Sequence, residues 1–349
     1  MDLLFEQRGC AGVVTLNRSK ALNALTHDMV RKLSAELDTW KQNASVTRVI
    51  IRAQGERAFC AGGDIRLLYE LGKAGRQSEA LAFFRDEYRL NRQIKRYPKP
   101  CIALIDGLVM GGGVGISIHG SHRVAGERYA FAMPEVGIGF FPDVGGTYAL
   151  PRLAGEIGTY CAMTGERLGP SDAVGAGAAT HYVKSHRIPD LAMALCEPEP
   201  VNATLAGFME RPGAGDVIAR RRTIDRTFSF DRVEDILAAL EREAQTGKDQ
   251  AQWAAATLQI MRKRSPTSLR LALAQMRAGR FRSFEECMTL EFRIVSRIVY
   301  GHDFYEGVRA LIVDKDNAPA WQPDTLEGVN ANDVESYFAP LPQGELCLT

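Results

Sequence analysis

The stretch at residues 98–153 constrains the fold of this chain more than any other part of the sequence. It opens with the apolar run Cys101–Ile105, which predicts a short buried strand. The glycine triplet 111–113 follows, and the small residues after it favour the start of a helix. Glu135 and Asp143, each preceded by a proline, come next in a segment with almost no other charge. The chain must therefore form a glycine-rich strand-to-helix connection that lies close in sequence to a pair of carboxylates.

The glycine triplet has several interpretations. Bare backbone N–H groups between a strand and a helix can face a ligand, and the start of the helix adds partial positive charge. Such a cradle can hold the oxyanion of an acyl-transfer reaction while carboxylates move protons or attack. A phosphate loop is disfavoured because no Gly-Lys-Ser/Thr follows, and the spacing does not match a dinucleotide-binding fingerprint. A tight turn without function is the remaining alternative.

Composition excludes several classes of function. A formal net charge of +1 over 349 residues gives no electrostatic basis for binding nucleic acid or an acidic membrane surface. No apolar run reaches membrane-spanning length, and the N-terminus shows no signal or transit peptide. The seven cysteines are scattered and include no Cys-x-x-Cys pair. We therefore expect a cytoplasmic protein with free thiols, no structural metal site and no membrane or nucleic-acid partner.

The remaining chain divides by its periodicity. Apolar runs around Val14 and Ile50 predict buried strands, and Met29 to Trp40 carries apolar residues at helical spacing. Prolines mark a linker-like region from about residue 186, and helical periodicity dominates from Asp216 to Val299. The pattern predicts an α/β domain at residues 1–190 that holds the site. A helical C-terminal domain and extension are predicted at residues 191–349.

Residues 58–64 add a second glycine-bearing connection between a strand and a helix. Asp64 directly precedes the predicted helix and is interpreted as its cap rather than as a catalyst. Cys60 is interpreted as a small buried residue, because no histidine lies near it in sequence to activate a nucleophile.

Five sequence strings occur together in this chain: AFCAGGDI at 58–65, MGGGVGISIHG at 110–120, FAMPE at 131–135, FPDVGG at 141–146 and GHDFYEGVRALIVDKD at 301–316. In these strings the chain resembles the crotonase (enoyl-CoA hydratase/isomerase) superfamily. Within that superfamily it looks like the 3-hydroxyisobutyryl-CoA hydrolase subgroup. The resemblance implies an α/β fold, the ClpP/crotonase-like spiral of stacked β-β-α turns, followed by a helical C-terminal domain.

The resemblance also implies roles for individual residues. The backbone N–H groups of Gly63 and Gly112 would form the oxyanion hole. Glu87, in the motif that begins at Phe83, would line the substrate pocket together with Gly112, Glu135 and Asp143. Coenzyme A would be bound at Lys20, Ala21, Leu22 and Ala61. The alternative for Lys20 is an ordinary surface lysine. The alternative for Glu87 is a surface helix on which charged side chains only pair with one another.

The activity implied by the subgroup is hydrolysis of 3-hydroxyisobutyryl-CoA to the free acid and coenzyme A, a step of valine breakdown. Glu135 would either activate water or attack the thioester itself, and Asp143 would orient water or substrate, or relay a proton toward the thiolate. No metal or redox cofactor is expected, since coenzyme A belongs to the substrate. The partner is the acyl-CoA, and a homo-oligomer is left open.

The alternatives are hydration or isomerisation of an enoyl-CoA on the same fold, and non-catalytic binding of an acyl-CoA. Hydratases of the family resembled here use two glutamates, of which one corresponds to Glu135. The position of the other is occupied in this chain by Gly115, and Asp143 stands where hydratases usually carry a small residue. This exchange favours chemistry at the thioester carbon over chemistry at the β carbon.

Overall fold

In the computed structural model of this protein, strands that follow one another along the chain belong mostly to two different β-sheets in turn. The structure describes residues 1–247, 249–342 and 344–348. The strands of these residues are β1 (Leu3–Arg8), β2 (Ala11–Leu16), β3 (Arg48–Ala53), β4 (Ala58–Cys60), β5 (Cys101–Ile105), β6 (Leu108–Met110), β7 (His122–Ala125), β8 (Ala130–Ala132) and β9 (His181–Tyr182).

Two sheets result from this alternation. One has the strand order β1-β2-β3-β5-β7-β9, in which only the β1–β2 pair is antiparallel. The other is the parallel sheet β4-β6-β8. From β3 onward, each successive strand joins the opposite sheet. This is the stacked β-β-α spiral that the sequence predicts, and the strand at Cys101–Ile105 lies where its apolar run places it.

Helices fill the connections and the C-terminal half of the chain. Those of the described residues are α1 (His27–Gln42), α2 (Ile65–Lys73), α3 (Gln77–Lys95), α4 (Gly112–Gly115), α5 (Gly146–Ala149), α6 (Ile157–Thr164), α7 (Pro170–Ala176), α8 (Ile188–Ala194), α9 (Val201–Phe208), α10 (Asp216–Ala219), α11 (Arg221–Phe228), α12 (Val233–Ala244), α13 (Ala251–Arg262), α14 (Pro266–Gly279), α15 (Phe284–Ile298), α16 (His302–Val308) and α17 (Ala331–Phe338).

The chain forms two units, and each is assembled from three separate segments. The first unit contains Met1–Asp64, Asp86–Ala132 and Arg167–Ile218. The second contains Ile65–Arg85, Met133–Glu166 and Ala219–Thr349. The division into domains at residues 1–190 and 191–349 stays a prediction. None of the described helices has the length and apolar character needed to cross a bilayer.

The first unit is built on the larger sheet. Val13, Ile50, Ile102 and Leu104 point from adjacent strands into one buried cluster, which α8 covers with Leu191. Parallel strands covered on both faces read as continuous apolar runs, and every residue of β2 and of β5 is buried. In the smaller sheet of the same unit, β4 and β6 pair with each other and end where the glycine-bearing connections begin.

The second unit has an aromatic and helical core. Phe140 stacks on Phe84 at a centroid distance of 5.6 Å and contacts Phe141 and Phe304 at 4.6 and 5.4 Å. Ser283 begins α15 with a capping box, because its hydroxyl accepts from the N–H of Glu286 while the Glu286 carboxylate accepts from the N–H of Ser283. The unit therefore holds α15 and the segment from Glu135 to Gly145 on a packed core.

Candidate active site

Gly63 and Gly112 are neighbours in the first unit. A Cβ built on Gly112 would lie 3.3 Å from the backbone nitrogen of Gly63. Gly112 is the first residue of α4, a position whose N–H has no acceptor within a helix. Within the described residues, neither N–H donates to a backbone acceptor elsewhere in the protein. The structure thus brings the two predicted oxyanion donors together and leaves both available to a ligand oxygen.

Glycine is required at this turn for conformation and for space. Gly111 has φ 45° and ψ −123°, and Gly62 has φ 106°, which are conformations that side chains with a Cβ rarely adopt. A Cβ on Gly112 would lie 2.5 Å from Oε1 of Glu87. The backbone of the turn can therefore approach a ligand only while these positions carry no side chain.

Glu87 on α3 belongs to the same group of residues. Its side chain is buried, and its carboxylate lies beside Gly112 and close enough to Cys60 to affect the thiol. Burial raises the pKa of Cys60 to about 12, and the charge of Glu87 adds to this effect. The prediction that Cys60 is a buried residue is confirmed. A thiol with such a pKa stays protonated at neutral pH, which disfavours a role as nucleophile.

The residues predicted to bind coenzyme A lie on one loop and the strand beside it. Leu22 has a left-handed φ of 51°, and its carbonyl accepts a 3.0 Å hydrogen bond from the N–H of Ala61. The buried Asn23 side chain donates to the carbonyl of Ala58 at 3.0 Å, which fixes the loop on β4. Lys20 is exposed and lines an open pocket of about 240 Å³ together with Arg57. The structure therefore brings this predicted set together in the first unit.

Asp64 forms an ion pair with Arg18, in which an Nη of the guanidinium lies 2.9 Å from a carboxylate oxygen. Its backbone N–H also donates to the carbonyl of Leu25 at 2.9 Å. Asp64 thus links the connection at residues 58–64 to the loop that contains Lys20. This supports a structural role for Asp64, and its role as the cap of α2 stays a prediction.

Glu135 and Asp143 lie in the second unit, and the side chains of both are buried. Glu135 begins a 3₁₀ turn, Glu135–Ile138, that follows Pro134. Its Oε2 atom has no hydrogen-bond partner within the described part of the chain. A buried carboxylate oxygen without a partner is costly, and this makes Glu135 a candidate for a role in ligand binding or in chemistry.

A third carboxylate, Glu291 on α15, is fully buried beside this pair. One of its oxygens accepts from the N–H of Gly145 at 2.8 Å, and the other accepts from the N–H of Thr147 at 2.9 Å. None of the sequence motifs points to this residue. The available signal was its position on α15, because Cys287, Met288, Ile294 and Val295, which share its helix face, are buried and uncharged.

The three carboxyl groups disturb one another. Burial raises the pKa of Glu135 well above its ordinary value, and the charges of Asp143 and Glu291 raise it further. Burial, with the charge of Asp143, raises the pKa of Glu291 to about 8 against the opposing effect of its hydrogen-bond donors. Like charges in a dry environment cannot all ionise easily, so Glu135 and Glu291 retain their protons at pH values where exposed carboxyls have lost theirs.

The C-terminal motif that begins at Gly301 packs against the Glu135 turn. A Cβ on Gly139 would meet the carbonyl oxygen of Asp303 at 2.1 Å, and a Cβ on Gly307 would meet Ile138 at 2.4 Å. Asp303 itself accepts from the hydroxyl of Ser265 at 2.6 Å. These contacts support a structural role for the motif. Among the described residues, no group of His, Cys, Asp and Glu side chains is arranged to hold a metal ion.

The raised pKa of Glu135 predicts a pH-dependent gain of stability for Glu135→Gln. The folded-state pKa lies above the unfolded value of about 4.3, so the stabilising contribution is present below that value and is lost as pH rises through the folded pKa. Glutamine does not ionise, so Glu135→Gln does not lose stability in this way as pH rises. The melting temperature of Glu135→Gln minus that of the wild type should rise between pH 5 and pH 9.

Thermal unfolding monitored by circular dichroism over this pH range measures the difference. Glu241→Gln, which changes an exposed glutamate paired with Arg262, is the matched control. A difference for Glu135→Gln that stays flat or falls as pH rises would contradict the raised pKa.

Comparison with known proteins shows which family the chain resembles over nearly its full length. A sequence model described as enoyl-CoA hydratase/isomerase matches residues 11–338. A Danio rerio protein named "3-hydroxyisobutyryl-CoA hydrolase, mitochondrial" is 44% identical, with 99% of this chain and 92% of the relative covered.

Two solved structures resemble the chain over nearly its full length. A carnitinyl-CoA dehydratase from Mycobacterium thermoresistibile has 41% identity and a TM-score of 0.93, with 99% of this chain and 98% of that chain covered. An enoyl-CoA hydratase from Rhodobacter sphaeroides 2.4.1 has 40% identity and a TM-score of 0.92, with 99% of this chain and 100% of that chain covered. The predicted crotonase-type fold is thereby confirmed. The chain belongs to the enoyl-CoA hydratase/isomerase family.

Proposed function

We propose that this protein hydrolyses the thioester of 3-hydroxyisobutyryl-CoA to 3-hydroxyisobutyrate and coenzyme A. The observation that carries the proposal is the pair of coupled acids Glu135 and Asp143, both buried, in a chain that has Gly115 in place of the other hydratase glutamate. The name of the Danio rerio relative, which is similar over 99% of this chain, supports the same activity. The role in valine breakdown is part of this proposal.

In this proposal the backbone N–H groups of Gly63 and Gly112 bind the oxyanion that forms during the reaction. When the thioester carbon is attacked, its oxygen gains nearly a full negative charge, which the two N–H groups stabilise. Both donors are backbone atoms, so they need no titration and no rotamer change during the reaction. The open N–H of Gly112 at the start of α4 also carries the partial positive charge of a helix terminus.

Glu135 supplies the attack in one of two ways. As a general base, it takes a proton from water while the water oxygen bonds to the carbonyl carbon and the C–S bond breaks. As a nucleophile, its oxygen bonds to the carbonyl carbon, the C–S bond breaks, and water then hydrolyses the mixed anhydride. Both routes need the ionised carboxylate, and the oxygen without a hydrogen-bond partner is the atom suited to either.

Asp143 orients the water or the substrate, or relays a proton toward the departing thiolate. Its charge raises the pKa of Glu135, which makes Glu135 a stronger base once it is ionised. The thiolate is a good leaving group, so assistance by an acid contributes little to the barrier. No metal or redox cofactor enters this scheme, and its absence from the reaction is a prediction.

In this proposal Glu87 contacts the acyl group of the substrate, and the loop at residues 20–22 contacts its coenzyme A part. Glu87 is buried beside Gly112, where it would line the acyl pocket. Lys20, Ala21, Leu22 and Ala61 would bind coenzyme A. The exposed ammonium of Lys20 is free to meet a phosphate of that ligand, while the backbone hydrogen bond between Ala61 and Leu22 keeps the loop in place.

Enoyl-CoA hydration is the second candidate, because the two structural relatives are named for dehydratase and hydratase activities. Adding water across a double bond needs proton transfer at both the α and β carbons. Gly115 is buried within α4 and offers no acid there. Hydrolysis needs only one base or nucleophile with oxyanion donors, so the residues present favour it over hydration.

Compartment and assembly stay predictions. The name of the Danio rerio relative assigns that protein to the mitochondrion, so it lends no support to the predicted cytoplasmic location. Buried thiols such as Cys60 and Cys101, whose pKa values burial raises to about 12, are compatible with either reducing compartment. A homo-oligomer also stays a prediction.

The first activity prediction separates the two candidate functions. Wild-type protein should release thiol from 3-hydroxyisobutyryl-CoA, and crotonyl-CoA should show negligible loss of its enoyl absorbance. Glu135→Gln should bind the acyl-CoA but lose most thiol release, because an amide can neither take a proton nor attack. Thiol release by a disulfide reagent, with product identification by mass spectrometry, measures the first reaction.

Efficient hydration of crotonyl-CoA by the wild type, without thiol release from any 3-hydroxyacyl-CoA in a panel, would contradict the proposed function. Binding of acyl-CoA without either reaction would favour the non-catalytic alternative.

The second activity prediction concerns Gly112→Ala. The new Cβ would lie 2.5 Å from Oε1 of Glu87 and 3.3 Å from the Gly63 nitrogen, so it would displace Glu87 and intrude on the oxyanion donors. Loss of one such donor typically lowers the rate ~10²–10³-fold, and kcat should fall in this range. Steady-state kinetics and thermal unfolding should be measured together.

Gly213→Ala is the matched control, because a Cβ on Gly213 meets no heavy atom within 4 Å and its φ is not left-handed. If Gly112→Ala retains wild-type kcat, the N–H of Gly112 is not an oxyanion donor. The same conclusion follows if the loss of kcat is accounted for by the fraction of protein that is unfolded, because Gly112 is then needed for packing alone.

A further inference from the structure

We propose that Glu291 is a positioning residue for the hydrolysis, which fixes the turn after Asp143 and so the direction of the Asp143 carboxylate. This inference rests on the proposed function. Nothing in the motifs of the family resemblance assigns a role to Glu291, which lies on α15, 146 positions from Gly145 in the sequence. Its contacts, the strain of the turn and the charge of the cluster support the proposal independently of one another.

The contacts of Glu291 all go to the turn that follows Asp143. Its Oε2 accepts from the N–H of Gly145 at 2.8 Å, and its Oε1 accepts from the N–H of Thr147 at 2.9 Å. The hydroxyl of Thr147 is a further hydrogen-bond donor to the same carboxylate. A carboxylate with both oxygens engaged by backbone fixes the position and the orientation of the turn at once.

The turn needs such support because its backbone is strained. Val144 has φ 52° and Gly145 has φ 85°, so two consecutive residues are left-handed. Left-handed backbone is rare for a β-branched residue such as valine and persists only where surrounding contacts hold it. Strain directly beside a buried acid is the kind of feature found at functional sites.

Gln275 on α14 holds the same turn from the other end. Its amide donates to the carbonyl of Pro142 at 3.1 Å and to the hydroxyl of Thr147 at 2.8 Å. Asp143 therefore lies between backbone groups that two buried side chains of different helices hold in place. Its backbone carbonyl also accepts from the N–H of Gly146 at 2.7 Å, which closes the turn.

The charge of Glu291 adds an electrostatic contribution to the site. The charged groups that face it are Asp143, whose charge acts on it directly, and Glu135, on which its own charge acts. Cys287, one turn earlier on α15, also responds to the charge of Glu291, which raises the pKa of its thiol after burial has done so. Arg152 and Arg282 lower the pKa of Cys287, whereas the main influences on the pKa of Glu291 are burial, the charge of Asp143 and the hydrogen bonds from Gly145 and Thr147.

Two substitutions separate the positioning effect from the charge. Glu291→Gln removes the negative charge and places an amide N–H₂ against one of the two backbone N–H groups. Glu291→Asp keeps the charge but shortens the side chain, so it cannot reach both N–H groups at once. Glu241→Gln, an exposed glutamate on α12, is the matched control for the chemical change.

The experiment measures kcat and KM for 3-hydroxyisobutyryl-CoA as a function of pH, together with hydrogen exchange of the amides at residues 143–147. We expect kcat of both Glu291 variants to fall, by ~10²-fold for Glu291→Gln since a misplacement near 1 Å has such an effect, with KM little changed. Exchange at residues 143–147 should become faster in both. The acidic limb of the pH profile should move to lower pH in Glu291→Gln only, because removing a like charge lowers the pKa of Glu135.

The proposal is overturned if Glu291→Gln keeps kcat within about threefold of the wild type, or if exchange at residues 143–147 is unchanged in both variants. It is also overturned if activity falls only in proportion to stability and the acidic limb stays in place, which would leave Glu291 a packing residue. If wild-type protein cleaves no 3-hydroxyacyl-CoA, the proposed function fails, and amide exchange at residues 143–147 still decides whether Glu291 holds the turn.

Discussion

The mutual repulsion of buried carboxylates is the constraint on which the second unit depends. Glu135, Asp143 and Glu291 lie in an environment where a charge without partners is costly. The protein offsets this cost unevenly, because Glu291 receives two backbone N–H groups while one oxygen of Glu135 receives no donor among the described residues. One oxygen of Glu135, the proposed base or nucleophile, is therefore left without a donor among these residues, while both oxygens of Glu291 accept a hydrogen bond.

The constraint on the first unit is a different one. At its glycine-bearing connections, backbone N–H groups must remain unobstructed by side chains. Gly62 and Gly111 adopt conformations that a Cβ disfavours, and Gly112 has no room for one beside Glu87. The spiral of strands makes this possible, because β4 and β6 are neighbours in one sheet and each ends at a glycine-bearing connection. Sheet pairing thus brings Gly63 and Gly112 together although a long segment of chain separates them.

The local parts of the fold and site could be predicted from the sequence, and the long-range parts could not. The strand at Cys101–Ile105 follows from an apolar run, and Glu135 and Asp143 stand out because their segment carries no other charge. The partners of Asp64 and Glu291 are set by tertiary contacts. Arg18 lies 46 positions from Asp64, and Gly145 lies 146 positions from Glu291. Each of the two units is discontinuous along the chain, which no local composition change reveals.

The position at which water enters the substrate tests the central claim most directly. Hydrolysis at the thioester carbon places the oxygen of water in the carboxylate of the product, whereas hydration of an enoyl-CoA places it on the β carbon. Turnover of 3-hydroxyisobutyryl-CoA in ¹⁸O-water, followed by mass spectrometry of the acid, distinguishes these outcomes. We expect ¹⁸O in the carboxylate and none in the 3-hydroxyl group. Label at the 3-hydroxyl group, or unlabelled acid after many turnovers, would contradict the account.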